Sequence, residues 1–181
     1  PNTHSVRHLT VRHIRGIVIV MEDTAIVYYS LDGNTDHVAR RIAEKTGAKL
    51  VRLETKRAYP RKGFKKFFIG GRDALFGAQP ELKASFPDLA PFGNIVIGTP
   101  VWASRPAPAI NTFLRRAKLD GKRIALFACS GGGQAETCLN KMESLLAGNE
   151  ILCRASFINP AFKSGKAVDD AIDEIVSALS G

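Results

Sequence analysis

The sequence is poor in several things, and each shortage removes a class of function. Cysteine is scarce. Cys129, Cys138 and Cys153 are odd in number and share no metal-ligand spacing. A disulfide framework and a zinc site are therefore disfavoured, and reduced thiols in a cytoplasmic protein are the simplest expectation. Long apolar runs are missing. None reaches the roughly eighteen residues of a membrane-spanning helix. Gly16 to Met21 comes nearest, but it is short, is followed by Glu22 and Asp23, and makes no convincing signal peptide. Histidine is nearly confined to residues 1 to 20. The one exception, His37, is expected on a solvated first helical turn, so no catalytic acid–base constellation is visible.

Residues 1 to 20 also lack acidic side chains, and Arg7, Arg12 and Arg15 supply three of the nine net positive charges. They show no helical period. They read as an upstream extension outside the domain, with an added strand over Ile14 to Val20 as the rival reading. The basic balance admits nucleic acid, membrane surfaces or acidic partners, although a basic solvated surface is the plainer explanation.

What is present, over residues 21–181, fits one globular domain of alternating strands and helices. Ala25 to Tyr29 is a continuous apolar run, as expected of a strand covered on both faces. Val38, Ala39, Ile42 and Ala43 then share a helical face, with Gly47 as the C-terminal cap. Further strands are expected at Lys49–Leu53, Ile95–Gly98, Arg123–Ala128 and Ile151–Ile158. Pro106 and Pro108 should open a helix with Ala109, Ile110, Phe113, Leu114 and Ala117 on its buried stripe. Cys138, Met142 and Leu145 mark another helix. Val168, Ala171, Ile172, Ile175, Val176 and Leu179 mark the last, with Asp169, Asp170 and Asp173 near its N-terminus. This alternation predicts an open, doubly wound parallel sheet of five strands, in the order 2-1-3-4-5, with helices on both faces.

In such a sheet ligands sit beyond the C-terminal strand ends. Three loops lie there. Ser30, Leu31, Asp32, Gly33, Asn34 and Thr35 form the first. Gly33 permits a sharp turn, backbone N–H groups and a helix N-terminus can face a phosphate, and Ser30, Asn34 and Thr35 add donors. The loop has no lysine, so it is not the GxxxxGK[ST] nucleotide loop, and no GxGxxG occurs. The plainer alternative is that Asn34 or Thr35 only caps the helix. Thr99, Pro100, Val101, Trp102 and Ala103 belong to the second loop, where the sole tryptophan offers a stacking face or serves as a buried anchor. Cys129, Ser130, Gly131, Gly132 and Gly133 form the third, whose glycines allow close approach of backbone to a flat ligand or simply make a tight turn. Cys129 could modulate a redox ring, but a buried structural thiol is the simpler role.

From Thr24 onward the chain resembles the short-chain flavodoxins. "SLDGNT" matches their phosphate loop at Ser30, Gly33, Asn34 and Thr35. "GTPVW" and "CSGGG" are similar to the loops on the two sides of the flavin. Ile151 to Ile158 runs without the insertion that splits the fifth strand in long-chain members. The resemblance implies a flavodoxin-like three-layer fold, FMN as cofactor, and a redox partner protein or small electron acceptor. Asp32 departs from the pattern, which usually has a hydroxyl there. A carboxylate beside a phosphate is unfavourable unless it turns away or bonds to the loop. Electron carriers of the family are typically acidic, so their partner surface does not carry over to this basic chain.

The segment between the second and third strands carries Lys56, Arg57, Arg61, Lys62, Lys65, Lys66 and Arg72, with no acid before Asp73. An amphipathic helix with Phe64, Phe67 and Phe68 on the sheet, broken at Gly70-Gly71, is the plain expectation. The functional alternative is a lip over the ligand, with Tyr59 or a phenylalanine lining the site. Three functions therefore stand. The first is an FMN-binding electron carrier or small flavin-dependent oxidoreductase of the quinone or flavin reductase type. The second is a flavodoxin-like module with weak or no flavin binding that acts through protein contacts. The third, less favoured, is a nucleic-acid binder.

Overall fold

The computed structural model describes residues 23–60, 64–133, 135–163 and 165–181, and over 64–68 the backbone alone. The expectations for residues 1 to 20, for the faces of Phe64, Phe67 and Phe68, and for the charges of Arg61, Lys62, Lys65 and Lys66 lie outside the described residues.

The elements alternate as the apolar pattern dictates. In chain order they are β1 (Thr24–Tyr28), α1 (Asn34–Thr46), β2 (Lys49–Arg52), α2 (Phe64–Leu75), β3 (Asn94–Trp102), β4 (Arg105–Pro106), α3 (Pro108–Arg116), β5 (Arg123–Ser130), α4 (Ala135–Glu143), β6 (Glu150–Ile158) and α5 (Lys166–Ser180). The sheet order is β2-β1-β3-β5-β6, and all four of these pairings are parallel. Counting the parallel strands alone, this is the expected 2-1-3-4-5 order. β4 is an addition, pairing antiparallel with the end of β3.

The period of two along each strand divides the core. Ala25, Val27, Ile95, Ile97, Ile124 and Leu126 face one side and meet Ile110 and Phe113 of α3 and Leu139 and Met142 of α4. Ile26, Tyr28, Val96, Ala125 and Phe127 face the other and meet Val38 and Ile42 of α1 and Ile172 and Ile175 of α5. Consecutive residues of β1 thus belong to different cores. This is why its sequence shows a solid apolar run instead of an alternation. Gly47 closes α1 in the left-handed region, at φ 70°, and its N–H donates to the Ala43 carbonyl at 2.7 Å.

Four local expectations need correction. Pro106 lies in β4, not in the helix, which starts at Pro108. The segment expected as an open loop is the end of β3 turning through Ala103 and Ser104, at φ 48° and 58°. Two successive left-handed residues give the twist that a two-residue hairpin requires. Gly70-Gly71 does not break α2, which runs through both. Leu145 lies past the end of α4 but still packs partly against its core.

Gly98, in the middle of β3, is a steric requirement. A Cβ there would lie 2.1 Å from the Phe127 ring of the adjacent strand. Phe127 in turn packs edge-on to Phe157 of β6, with ring centroids 6.1 Å apart. Gly98→Ala should therefore overpack this layer and cost about 1–3 kcal/mol of stability. Urea unfolding should show a lower midpoint with an unchanged slope. An unchanged midpoint would mean that the ring moves aside freely.

Candidate functional site

Parallel strands end together. The loops after β1, β3, β5 and β6 therefore emerge on one rim, where they enclose a cleft of about 530 Å3. That volume suits a small-molecule ligand. Ser30, Leu31, Asp32, Asn34 and Thr35 line it from the first loop. Pro100, Val101, Trp102 and Ala103 line it from the second, and Cys129, Ser130 and Gly131 from the third. Gly33, Thr99, Gly132 and Gly133, also singled out in the sequence, do not line it. Thr99 is fully buried. Its hydroxyl accepts from the Ala107 N–H and donates to the Pro100 carbonyl, both at 3.0 Å, so it braces the hairpin.

Two of the loops use the same device. The Gly33 N–H donates to Ser30 Oγ at 3.2 Å, and the Gly133 N–H donates to Ser130 Oγ at 2.9 Å. Both glycines sit in the left-handed region, at φ 93° and 89°. Each serine oxygen thus closes a four-residue turn between a strand end and a helix. The first turn leads straight into α1, with Asn34 and Thr35 as its opening residues.

Asn34 is held by its carbonyl side. Asn34 Oδ1 accepts from the Ala161 N–H at 3.0 Å. Arg52, at the end of β2, donates to the Ser30 carbonyl at 3.1 Å and lies 3.5 Å from Asp36. Asp36 also accepts from Tyr28 and from Arg40, both at 2.7 Å. Burial acts to raise the Asp36 pKa, but the hydrogen bonds from Arg40 and Tyr28 hold it below the usual carboxylate range. Burial, then the bond to Asp36, pushes Tyr28 up to about 12. The base of the phosphate-type loop is therefore clamped by charge.

Thr35 is different. It is 1% exposed, and its hydroxyl has no hydrogen-bond partner. A buried polar group left unpaired is rare and calls for an explanation. The Cys129 thiol lies beside it and is at best a weak acceptor. At the head of α1, among convergent N–H donors, the arrangement fits a phosphate. His37, expected on the surface, instead has a shielded Nε2 without a partner.

Trp102 joins the three segments around it. Its ring packs edge-on to Tyr29 at 5.8 Å and to Tyr59 at 5.1 Å. A Cβ on Gly70 would lie 3.0 Å from it. Gly70 is thus explained by close approach to the tryptophan, not by a helix break, and a Cβ on Gly71 would meet only Ala103, at 4.0 Å. Gly71 then lines the cleft, so α2 does supply a lip. Tyr59 is not among the lining residues. It stands behind Trp102, and its hydroxyl donates to Asp73 at 3.1 Å.

Sequence reasoning missed Gly71, Asn159 and Arg52. Asn159 follows β6 on the same rim, lines the cleft with φ 47°, and donates from its amide to the Gly131 carbonyl at 3.3 Å. Its place after a fifth parallel strand was the available signal. Arg52 and Gly71 had none, because only tertiary contact brings them to the loops. Among the described residues no group of His, Cys, Asp and Glu could hold a metal ion.

All three thiols are free. Burial pushes Cys129 up to about 12 from an ordinary 9.0, with the Thr35 hydroxyl opposing the shift. Burial likewise pushes Cys138 to about 12 and Cys153 to about 11. The fold therefore favours the neutral thiols. Their contribution to stability is complete below pH 9 and is lost as pH climbs through the raised values. Native protein at pH 8 should react slowly with a thiol reagent, whereas unfolded protein should titrate all three at once. A fast native thiol at Cys129 or Cys138 would contradict the burial.

Residues 23–174 match the family model described as Flavodoxin. No curated protein matches the sequence. Among solved structures, the chain is 24% identical to a flavoprotein in complex with FMN from Lactobacillus acidophilus NCFM, with a TM-score of 0.66, covering 82% of this chain and 97% of that one. It is 20% identical to a protein described as a flavoprotein from Bacteroides uniformis ATCC 8492, with a TM-score of 0.69 and coverage of 84% and 97%. It is also 20% identical to the two-electron reduced flavodoxin of Megasphaera elsdenii, with a TM-score of 0.57 and coverage of 87% and 98%. At these identities the structures speak for the fold. Together with the family match over most of the sequence, they lead to one conclusion: the chain belongs to the flavodoxin family.

Proposed function

We propose that this flavodoxin-family protein binds FMN in the rim cleft and serves as a redox protein, either an electron carrier or a small flavin-dependent oxidoreductase. The observation that carries the reading is the buried, unpartnered Thr35 hydroxyl at the head of α1. Ser30, Asn34 and Thr35 would hold the phosphate, helped by the N-terminal N–H groups of α1. Trp102 and Ala103 on one wall, and Ser130 and Gly131 on another, would flank the ring. Bound there, the cofactor supplies one- and two-electron chemistry of its own. The chain's part is to bind, orient and partly shield it. The FMN complex of the Lactobacillus acidophilus flavoprotein, which has the same fold, supports the choice of cofactor. Three free thiols agree with a cytoplasmic setting. Among the described residues no helix is long and apolar enough to cross a membrane.

Asp32 favours a second reading. Its carboxylate lines the same cleft. It would oppose a nearby phosphate dianion, and a module with weak flavin affinity would then act through protein contacts.

A titration decides between them. FMN added to the purified chain should bind saturably and quench the emission of Trp102, the only tryptophan. Thr35→Glu should abolish FMN binding, because it would place a carboxylate at the proposed phosphate position, whereas Thr35→Ser should retain it. Unchanged affinity in Thr35→Glu would put the phosphate elsewhere. Absence of binding by the unaltered chain would favour the protein-contact module.

A further inference from the structure

Next to the cleft lies a second, smaller pocket of about 230 Å3. The two share walls. Gly71 of α2 lines the cleft and Ala74, one turn on, lines the pocket; Ala103 of the hairpin lines the cleft, and Arg105 and Pro106 line the pocket.

The pocket's charge is one-sided. Arg105, Arg115 and Lys141 converge on it from the hairpin, α3 and α4, and no carboxylate lines it. Among the described residues Arg115 donates to the neutral Asn111 Oδ1, at 3.2 Å. The nearest acids of α4, Glu136 and Glu143, are both engaged by Arg154. Elsewhere the chain pairs many of its cations, as Lys56 with Glu81 and Lys83 with Glu54. Here like charges are brought together with no ion pair among the described residues. Like charges held together repel, and an anionic partner bound there would relieve that repulsion.

The same pocket carries two exposed apolar side chains at the end of α2. Leu75 is 56% exposed and Phe76 is 80% exposed. An aromatic anchor with a ring of unpaired cations is the composition of a docking site for an acidic protein surface.

We propose that Leu75 and Phe76, flanked by Arg105, Arg115 and Lys141, dock an acidic electron-transfer protein beside the cleft. The proposal rests on the FMN-binding reading, since it takes its meaning from the shared wall with the cofactor site. The partner's carboxylates meet the three cations, and an apolar side chain of the partner packs on Phe76. Charge sets the encounter rate and orientation, and the aromatic contact holds the complex.

The test uses the full chain, with and without FMN, and a plant-type [2Fe–2S] ferredoxin as the acidic redox protein. Binding is measured by calorimetric titration at low salt and near physiological ionic strength. Saturable binding that weakens with salt is expected. Arg115→Gln with Lys141→Gln should weaken it by at least about fivefold. Lys49→Gln with Lys118→Gln removes the same charge from the opposite rim and should change it by less than about twofold. Arg105 is left intact because its hairpin lines the cleft. Phe76→Ser should weaken binding without altering the salt dependence. Absence of binding, or equal weakening in both double variants, would overturn the proposal. So would self-association of the chain that disappears in Phe76→Ser, which would assign the patch to a second copy. FMN affinity is measured for every variant. A chain that binds ferredoxin but not FMN sinks the cofactor reading alone; one that binds FMN but not ferredoxin sinks the docking surface alone.

Discussion

Parallel pairing is the constraint on which this molecule depends. β2, β1, β3, β5 and β6 pair in parallel, so all five strands run the same way and their C-terminal ends meet at one rim. Each return path must then cross a face of the sheet, and the helices that do so bury both faces. Loops distant in sequence are thereby gathered at one place. Ser30 and Ser130 lie a hundred positions apart, yet both line one cleft.

Within that rim the site is built from turns whose hydrogen bonds are internal. The paired Ser–Gly turns spend each serine oxygen on a backbone N–H, and Asn34 spends its oxygen on Ala161. Arg52 grips the Ser30 carbonyl from the neighbouring strand. What remains uncommitted is the Thr35 hydroxyl, buried at the start of α1. His37 Nε2 is the other buried side-chain atom without a partner among the described residues, and of the two only the hydroxyl opens a helix, as the proposed phosphate site requires.

Trp102 connects this cleft with the insert that follows β2. Its ring fills the space between Tyr29, Tyr59 and α2, and α2 comes close enough only because residue 70 has no side chain. The lip over the cleft and the basic pocket behind it therefore share one packing contact. A change in how α2 sits would alter both at once.

Much of this was legible in the sequence. The apolar run of β1, the helical stripes and Gly47 determine the elements locally, because strand and helix periods and a left-handed cap are properties of neighbouring residues. The order of the parallel strands and the Ser30–Thr35 loop followed from alternation and from the resemblance of "SLDGNT" to a phosphate loop. Other features belong to tertiary structure alone. Gly70-Gly71 reads as a break until the tryptophan against Gly70 is seen. Pro106 reads as a helix start until the left-handed pair Ala103-Ser104 turns it into a strand edge. His37 reads as solvated until its Nε2 is found shielded. Arg52 meets the Ser30 carbonyl, and Arg105 joins Arg115 and Lys141, only through folding. Local pattern records which conformation a residue prefers. Which distant atoms approach it, and which charges are left without partners, is decided when the sheet closes over its helices.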